Sequence, residues 1–118
     1  MKTVKATAIN LDDGIKNMML AAKEDYSEMG TSDYYKQQTL EWDSKTKILD
    51  GKKYIKVVQN GGVFCFVCKA DFKHFKKGDI LFPASYKAPS LNQARGNVLD
   101  GNYSINWTGP LSLTGGLL

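Results

Sequence analysis

The chain has 118 residues and 13.1 kDa, enough for one domain and one hydrophobic core. With 42% hydrophobic and 24% charged residues it is not a disordered chain, and no run approaches the ~18–20 apolar residues of a membrane span. The net charge of +4 is unevenly spread: residues 1–44 hold five Lys and eight acids (net −3), whereas residues 45–118 hold eleven cations and four acids (net +7).

Val4, Ala6 and Ala8 alternate within residues 3–9 and predict a short edge strand. A helix is predicted over 12–29, because Ile15, Met18, Met19, Ala22, Tyr26 and Met29 share one face. Asp12 or Asp13 suits its start, where a carboxylate accepts free N–H groups and faces the positive end of the helix dipole. Gly30 suits its end as a left-handed cap. Residues 34–42 fit either a second helix or a strand, and Thr39 with the aromatic residues favours the strand.

Asp50-Gly51 and Asn60-Gly61 are both read as two-residue hairpin loops, the first joining 44–49 to 52–59 and the second joining 52–59 to 62–69. In that register Val58 faces Val63, Val57 faces Phe64, Lys56 faces Cys65 and Ile55 faces Phe66. Strands apolar on both sides belong inside a covered sheet; the helix would cover one face and the curl of the sheet the other. Lys77-Gly78-Asp79 turns into a strand at Ile80–Phe82, which Pro83 ends. Residues 83–97 form a long loop, with one helical turn expected near Leu91–Arg95. Asp100-Gly101 then marks a hairpin between Val98-Leu99 and Asn102–Trp107, Thr108-Gly109-Pro110 turns the chain, and Leu111–Leu113 adds a last strand. The sum is an α+β protein, a single domain over 1–118: one N-terminal amphipathic helix packed on a mostly antiparallel six- to seven-stranded sheet or small β-barrel. The β-rich part covers 36–113, with a loose tail over 114–118.

Cys65-x-x-Cys68 followed by His74 is the one metal-like spacing, yet a structural zinc site needs four ligands and strand alternation puts the two thiols on opposite faces. His74 is the only histidine, so a Ser-His or Cys-His mechanism must use it, and only Asp71 or Asp79 stands near enough in sequence to orient it. No catalytic set, metal site or cofactor is therefore assigned. Cations alternate with rings from Lys69 to Lys77, and further cations lie on the neighbouring hairpin and the long loop. The residues singled out for anion or nucleic-acid binding are Lys53, Lys56, Lys69, Lys73, Lys76, Lys77, Tyr86, Lys87 and Arg95. Lys and Arg meet phosphates and exposed rings stack on bases, which is what a single strand requires. The competing reading turns Phe72 and Phe75 inward as core and uses Arg95 to tie the long loop to the sheet through backbone carbonyls.

The stretch Pro83–Pro89, Ala94–Asn97 and Tyr103–Pro110 resembles segments of short bacteriophage proteins, a likeness that covers the last third of the chain and names no activity. The functional expectation is a small non-enzymatic protein whose basic β surface contacts a polyanion, single-stranded or structured nucleic acid. The alternative is a phage-type interaction module or inhibitor docking on an acidic protein surface. The third reading is a small enzyme using His74 or a Cys. With two Cys and no apolar leader the expected location is cytoplasmic (the host cytoplasm for a phage-encoded chain), with no membrane partner. A sheet apolar on both faces beside one helix also leaves room for homo-oligomerisation.

Overall fold

The computed structural model describes residues 1–112. Along the chain these form β1 (Lys2–Val4), α1 (Leu11–Ser27), α2 (Asp33–Leu40), a 3₁₀ turn (Asp43–Lys45), β2 (Thr46–Asp50), β3 (Tyr54–Gln59), β4 (Gly62–Cys68), β5 (Ile80–Leu81), β6 (Tyr103–Asn106) and β7 (Gly109–Pro110). The protein is α+β, with α1 packed on two antiparallel sheets, β2-β3-β4-β5 and the smaller β1-β6-β7, and α2 packed against α1. β1 is an edge strand but covers only Lys2–Val4; Ala6 and Ala8, whose alternation extended the expectation over 3–9, lie outside it. Leu111 and Ser112 form no strand, which corrects the expected last strand at Leu111–Leu113; its Leu113 and the tail over 114–118 fall outside the described residues.

α1 begins at Leu11, one residue before the predicted start, so Asp12 and Asp13 lie inside its first turn rather than at its cap. The Asn10 side chain caps it, accepting from the Asp13 N–H at 2.8 Å, while Asp12 and Asp13 sit in the first turn near the free N–H groups. Ile15, Met18, Met19 and Ala22 are buried along one face. The helix stops at Ser27, with Met29 exposed, and Gly30 is not the left-handed cap the sequence suggested.

Residues 33–40 are helical, which corrects the preference for a strand. A tertiary contact overrides the β propensity of Thr and the rings: helical spacing puts Tyr35 and Trp42 on the side facing α1, where both rings pack within 6.0 Å of the Tyr26 ring.

Asn60 and Gly61 both have positive φ (51° and 81°), as a two-residue hairpin turn requires. The register that follows differs from the regular one. Val58 pairs with Val63, but a bulge then shifts the ladder so that Val57 pairs with Cys65, Lys56 with Phe66 and Ile55 with Val67. Asp50-Gly51 is not a two-residue loop: Asp50 pairs with Ile55, and a four-residue loop is closed by the Gly51 N–H donating to the Tyr54 carbonyl. No helical turn forms at 91–95. Instead the end of the long loop runs back along β5, the Ile80 N–H donating to the Gly96 carbonyl and the Arg95 N–H to the Ile80 carbonyl. Residues 98–100 turn rather than pair with β6, whose partners are β1 and β7. Pro110 lies in a strand, not in a turn.

The larger sheet is covered on both faces, though not by closure into a barrel. Ile55, Val57, Cys65 and Val67 meet Met18, Ala22 and the small sheet's Tyr103 and Ile105. On the opposite face Phe66, Cys68 and Leu81 meet Phe75, with Tyr54, Phe72 and Ala94 around them. Irregular chain therefore does on the second face what the helix does on the first. Among the described residues, no helix is long and apolar enough to cross a membrane.

Candidate functional site

The turn from Phe72 to Phe75 is the centre of the basic region. The two Phe residues exchange backbone hydrogen bonds (3.0 and 2.9 Å), and Lys73 at the tip takes a left-handed conformation with φ 54°. Phe75 is buried and stacks its ring with Phe72, which stays half-exposed. The inward reading is thus right for Phe75 and half right for Phe72. Two further aspartates hold the next turn: Asp71 accepts the Lys77 N–H and Asp79 accepts the Lys76 N–H, each at 2.9 Å. With both carboxylates engaged in folding the chain, neither contacts the imidazole. His74 packs on Phe75 and donates from Nε2 to the Asn92 carbonyl at 3.2 Å.

Around this turn cations lie over rings. The Lys53 ammonium is 4.6 Å and the Lys73 ammonium 5.5 Å from the centre of the Phe72 ring. The Lys56 ammonium is 3.9 Å from the centre of Tyr86 and 5.8 Å from that of Phe66. The bulge makes the second arrangement, because only the shifted ladder puts Phe66 opposite Lys56 on the same face. Tyr54 joins the two groups, edge-on to both Phe66 and Phe72. Such contacts hold an ammonium near the surface at a gain of roughly 0.5–1 kcal/mol each and leave its charge unneutralised.

Of the nine residues predicted for the site, Lys53, Lys56, Lys73 and Tyr86 are brought together on this face. Lys76, Lys77 and Lys87 are exposed beside them in sequence, and like Lys53, Lys56 and Lys73 they form no ion pair with a carboxylate among the described residues. Lys69 differs: its ammonium is 2.8 Å from Asp50 and donates to the Gly51 carbonyl. Arg95 is engaged in the scaffold, its guanidinium donating to the Pro110 carbonyl at 3.1 Å and lying 4.1 Å from the centre of the Phe82 ring.

Cys65 and Cys68 point to opposite faces and are both buried. Burial pushes the Cys65 thiol far up and the Cys68 thiol to about 11, with the charge of Asp79 adding to the latter. Both stay protonated near neutral pH and act as core residues. Among the described residues no three His, Cys, Asp or Glu side chains gather as a metal site would need.

A second feature escaped the sequence reading. Between α2, the β3–β4 hairpin and Trp107 lies a half-open cleft of about 540 Å³. Tyr26, Tyr34, Tyr35, Trp42, Phe64 and Trp107 supply its rings, with Lys45 and Gln38 among its polar groups. Tyr35, Gln38 and Trp42 at i, i+3 and i+7 would have signalled it, had residues 34–42 been read as helical. Asp25 supports one wall: this buried carboxylate accepts the Trp107 N–H at 2.9 Å and pairs with the Met1 ammonium.

Compared with known proteins, the chain matches no family model, and neither a curated protein nor a solved structure is similar to it.

Proposed function

We propose that this is a small binding protein whose lysine- and ring-bearing face contacts a polyanion, single-stranded or structured nucleic acid. One observation carries the reading: Lys53, Lys56 and Lys73 converge over Phe72, Phe66 and Tyr86 without a carboxylate partner among the described residues. The ammonium groups would replace counterions on phosphates, and the exposed Tyr86 ring would offer a stacking surface to a base.

The test is fluorescence anisotropy with a labelled single-stranded oligonucleotide across a salt series. Three phosphate contacts on a single strand give a slope of log K against log salt of about −2. Replacing Lys53, Lys56 and Lys73 together by Gln should flatten the slope and weaken binding at low salt. Affinity independent of salt, or no binding at low salt, would refute the reading.

A second reading, docking on an acidic protein surface, draws on β2. This strand, at the edge of the larger sheet, exposes Ile48 and Leu49 and a backbone edge that no other strand among the described residues pairs. A stoichiometric protein partner that survives nuclease treatment of an extract would favour it over nucleic acid.

A further inference from the structure

We propose that the cleft beside α2 is a binding site for a small planar aromatic anion, a ligand separate from the polyanion and held by different residues. Its size is that of a small-molecule pocket, about 540 Å³. Its walls are rings set at angles to one another: Trp107 stands edge-on to Tyr26 with centres 5.3 Å apart, and Tyr34 stands edge-on to Tyr35 at 5.4 Å. Ring walls of this kind favour a flat guest that offers a face to one ring and an edge to the next.

The polar groups decide the sign of its charge. Among the described residues no Asp or Glu lines the cleft. Lys45 spends one N–H on Gln38 Oε1 at 2.6 Å and keeps two. That bond also fixes the Gln38 amide with its NH₂ donors unused. Gln59 accepts from Thr46 and donates once to the Trp42 carbonyl, which leaves one amide N–H as a further donor. The cleft therefore offers rings and donors, and an aromatic cation would meet Lys45 without a counter-charge. A ring carrying a carboxylate and the base and phosphate of a nucleotide share the required chemistry.

Binding is followed by the shift of the two indole N–H resonances, Trp42 and Trp107, as 2-naphthoate, 2-naphthylmethylamine or adenosine 5′-monophosphate is added at low salt. A saturable shift with 2-naphthoate, at least about tenfold tighter than with the amine, supports the proposal. Lys45→Gln should reduce 2-naphthoate affinity about fivefold or more, and Tyr34→Ala, at an exposed position, should weaken it without unfolding the chain. If adenosine 5′-monophosphate saturates the same resonances and is sensitive to the same variants, the source is a nucleotide; if only 2-naphthoate does, it is an aromatic carboxylate. Equal affinity for the amine, no saturable shift with either anion, or indifference to both variants would overturn the proposal. Mononucleotide binding lost only in the Lys53, Lys56 and Lys73 variant would assign that binding to the basic face and likewise overturn the cleft as a nucleotide site. The oligonucleotide salt slope, measured separately, fails or survives on its own.

Discussion

The two faces of the larger sheet are covered by different means. On one, α1 lays Met18 and Ala22, both fully buried, onto Ile55, Val57, Cys65 and Val67. On the other, a tight turn and the end of a long loop bring Phe75 and Ala94 onto Phe66, Cys68 and Leu81, and lysines close the rim. The helix face satisfies its backbone within the helix and leaves little polar chemistry at the contact. The loop face needs side chains to hold its backbone. Asn97 shows this: it donates to the Lys77 carbonyl and to Asp79 while accepting the Leu99 and Asp100 N–H groups. Irregular cover of this kind exposes cations and rings together, which is why the candidate interface lies on that side.

The comparison breaks most sharply at Phe75. If the loop face is a core in its own right, Phe75→Ala costs about 3–5 kcal/mol in urea unfolding, the same scale as a large truncation under the helix. A cost under about 1 kcal/mol would reduce that face to a surface contact. Gly14→Ala probes the tightness of the other side. A Cβ there would lie 2.5 Å from the Val98 carbonyl oxygen, so the helix must shift, at a cost of about 2–3 kcal/mol despite the better helix propensity of Ala.

Asp25 links α1 to the small sheet, and Asp25→Ala leaves the Trp107 N–H without its acceptor for about 2 kcal/mol. Burial raises its pKa, but the Met1 ammonium and the Trp107 N–H outweigh burial and hold it below the ordinary 3.8. Its stabilisation is thus complete above the unfolded carboxylate's pKa and is lost as pH falls through the lower folded value. Acid titration of the unfolding midpoint in wild type and Asp25→Asn should converge at low pH. Gly61→Ala comes next, at about 1 kcal/mol, from its left-handed φ of 81° alone, since nothing crowds the added carbon. The replacement of Lys53, Lys56 and Lys73 by Gln is read on binding: it should remove the salt-dependent binding, while each lost ring contact lowers stability by no more than about 0.5–1 kcal/mol.

Much of this was legible in the residues. The 3.6-residue period of Ile15, Met18, Met19 and Ala22 marks α1, and Asn60-Gly61 marks the central hairpin, because both signals are local: one is a repeat along a single element, the other a steric demand on two adjacent residues. Separation of Cys65 from Cys68 followed equally from alternation along one strand.

What the amino-acid order determined by itself is the α+β class, the uneven charge, and the supply of lysines and rings in its basic part. What only the tertiary structure decided is which of them meet. The bulge set Phe66 against Lys56, the packing of Tyr35 and Trp42 on Tyr26 made residues 33–40 a helix and opened a cleft beside it, and the return of the long loop brought Tyr86 to Lys56 while sending Arg95 to Pro110. Each of those outcomes depends on contacts between residues distant in sequence, whose free energy exceeds the local preferences that a linear reading weighs.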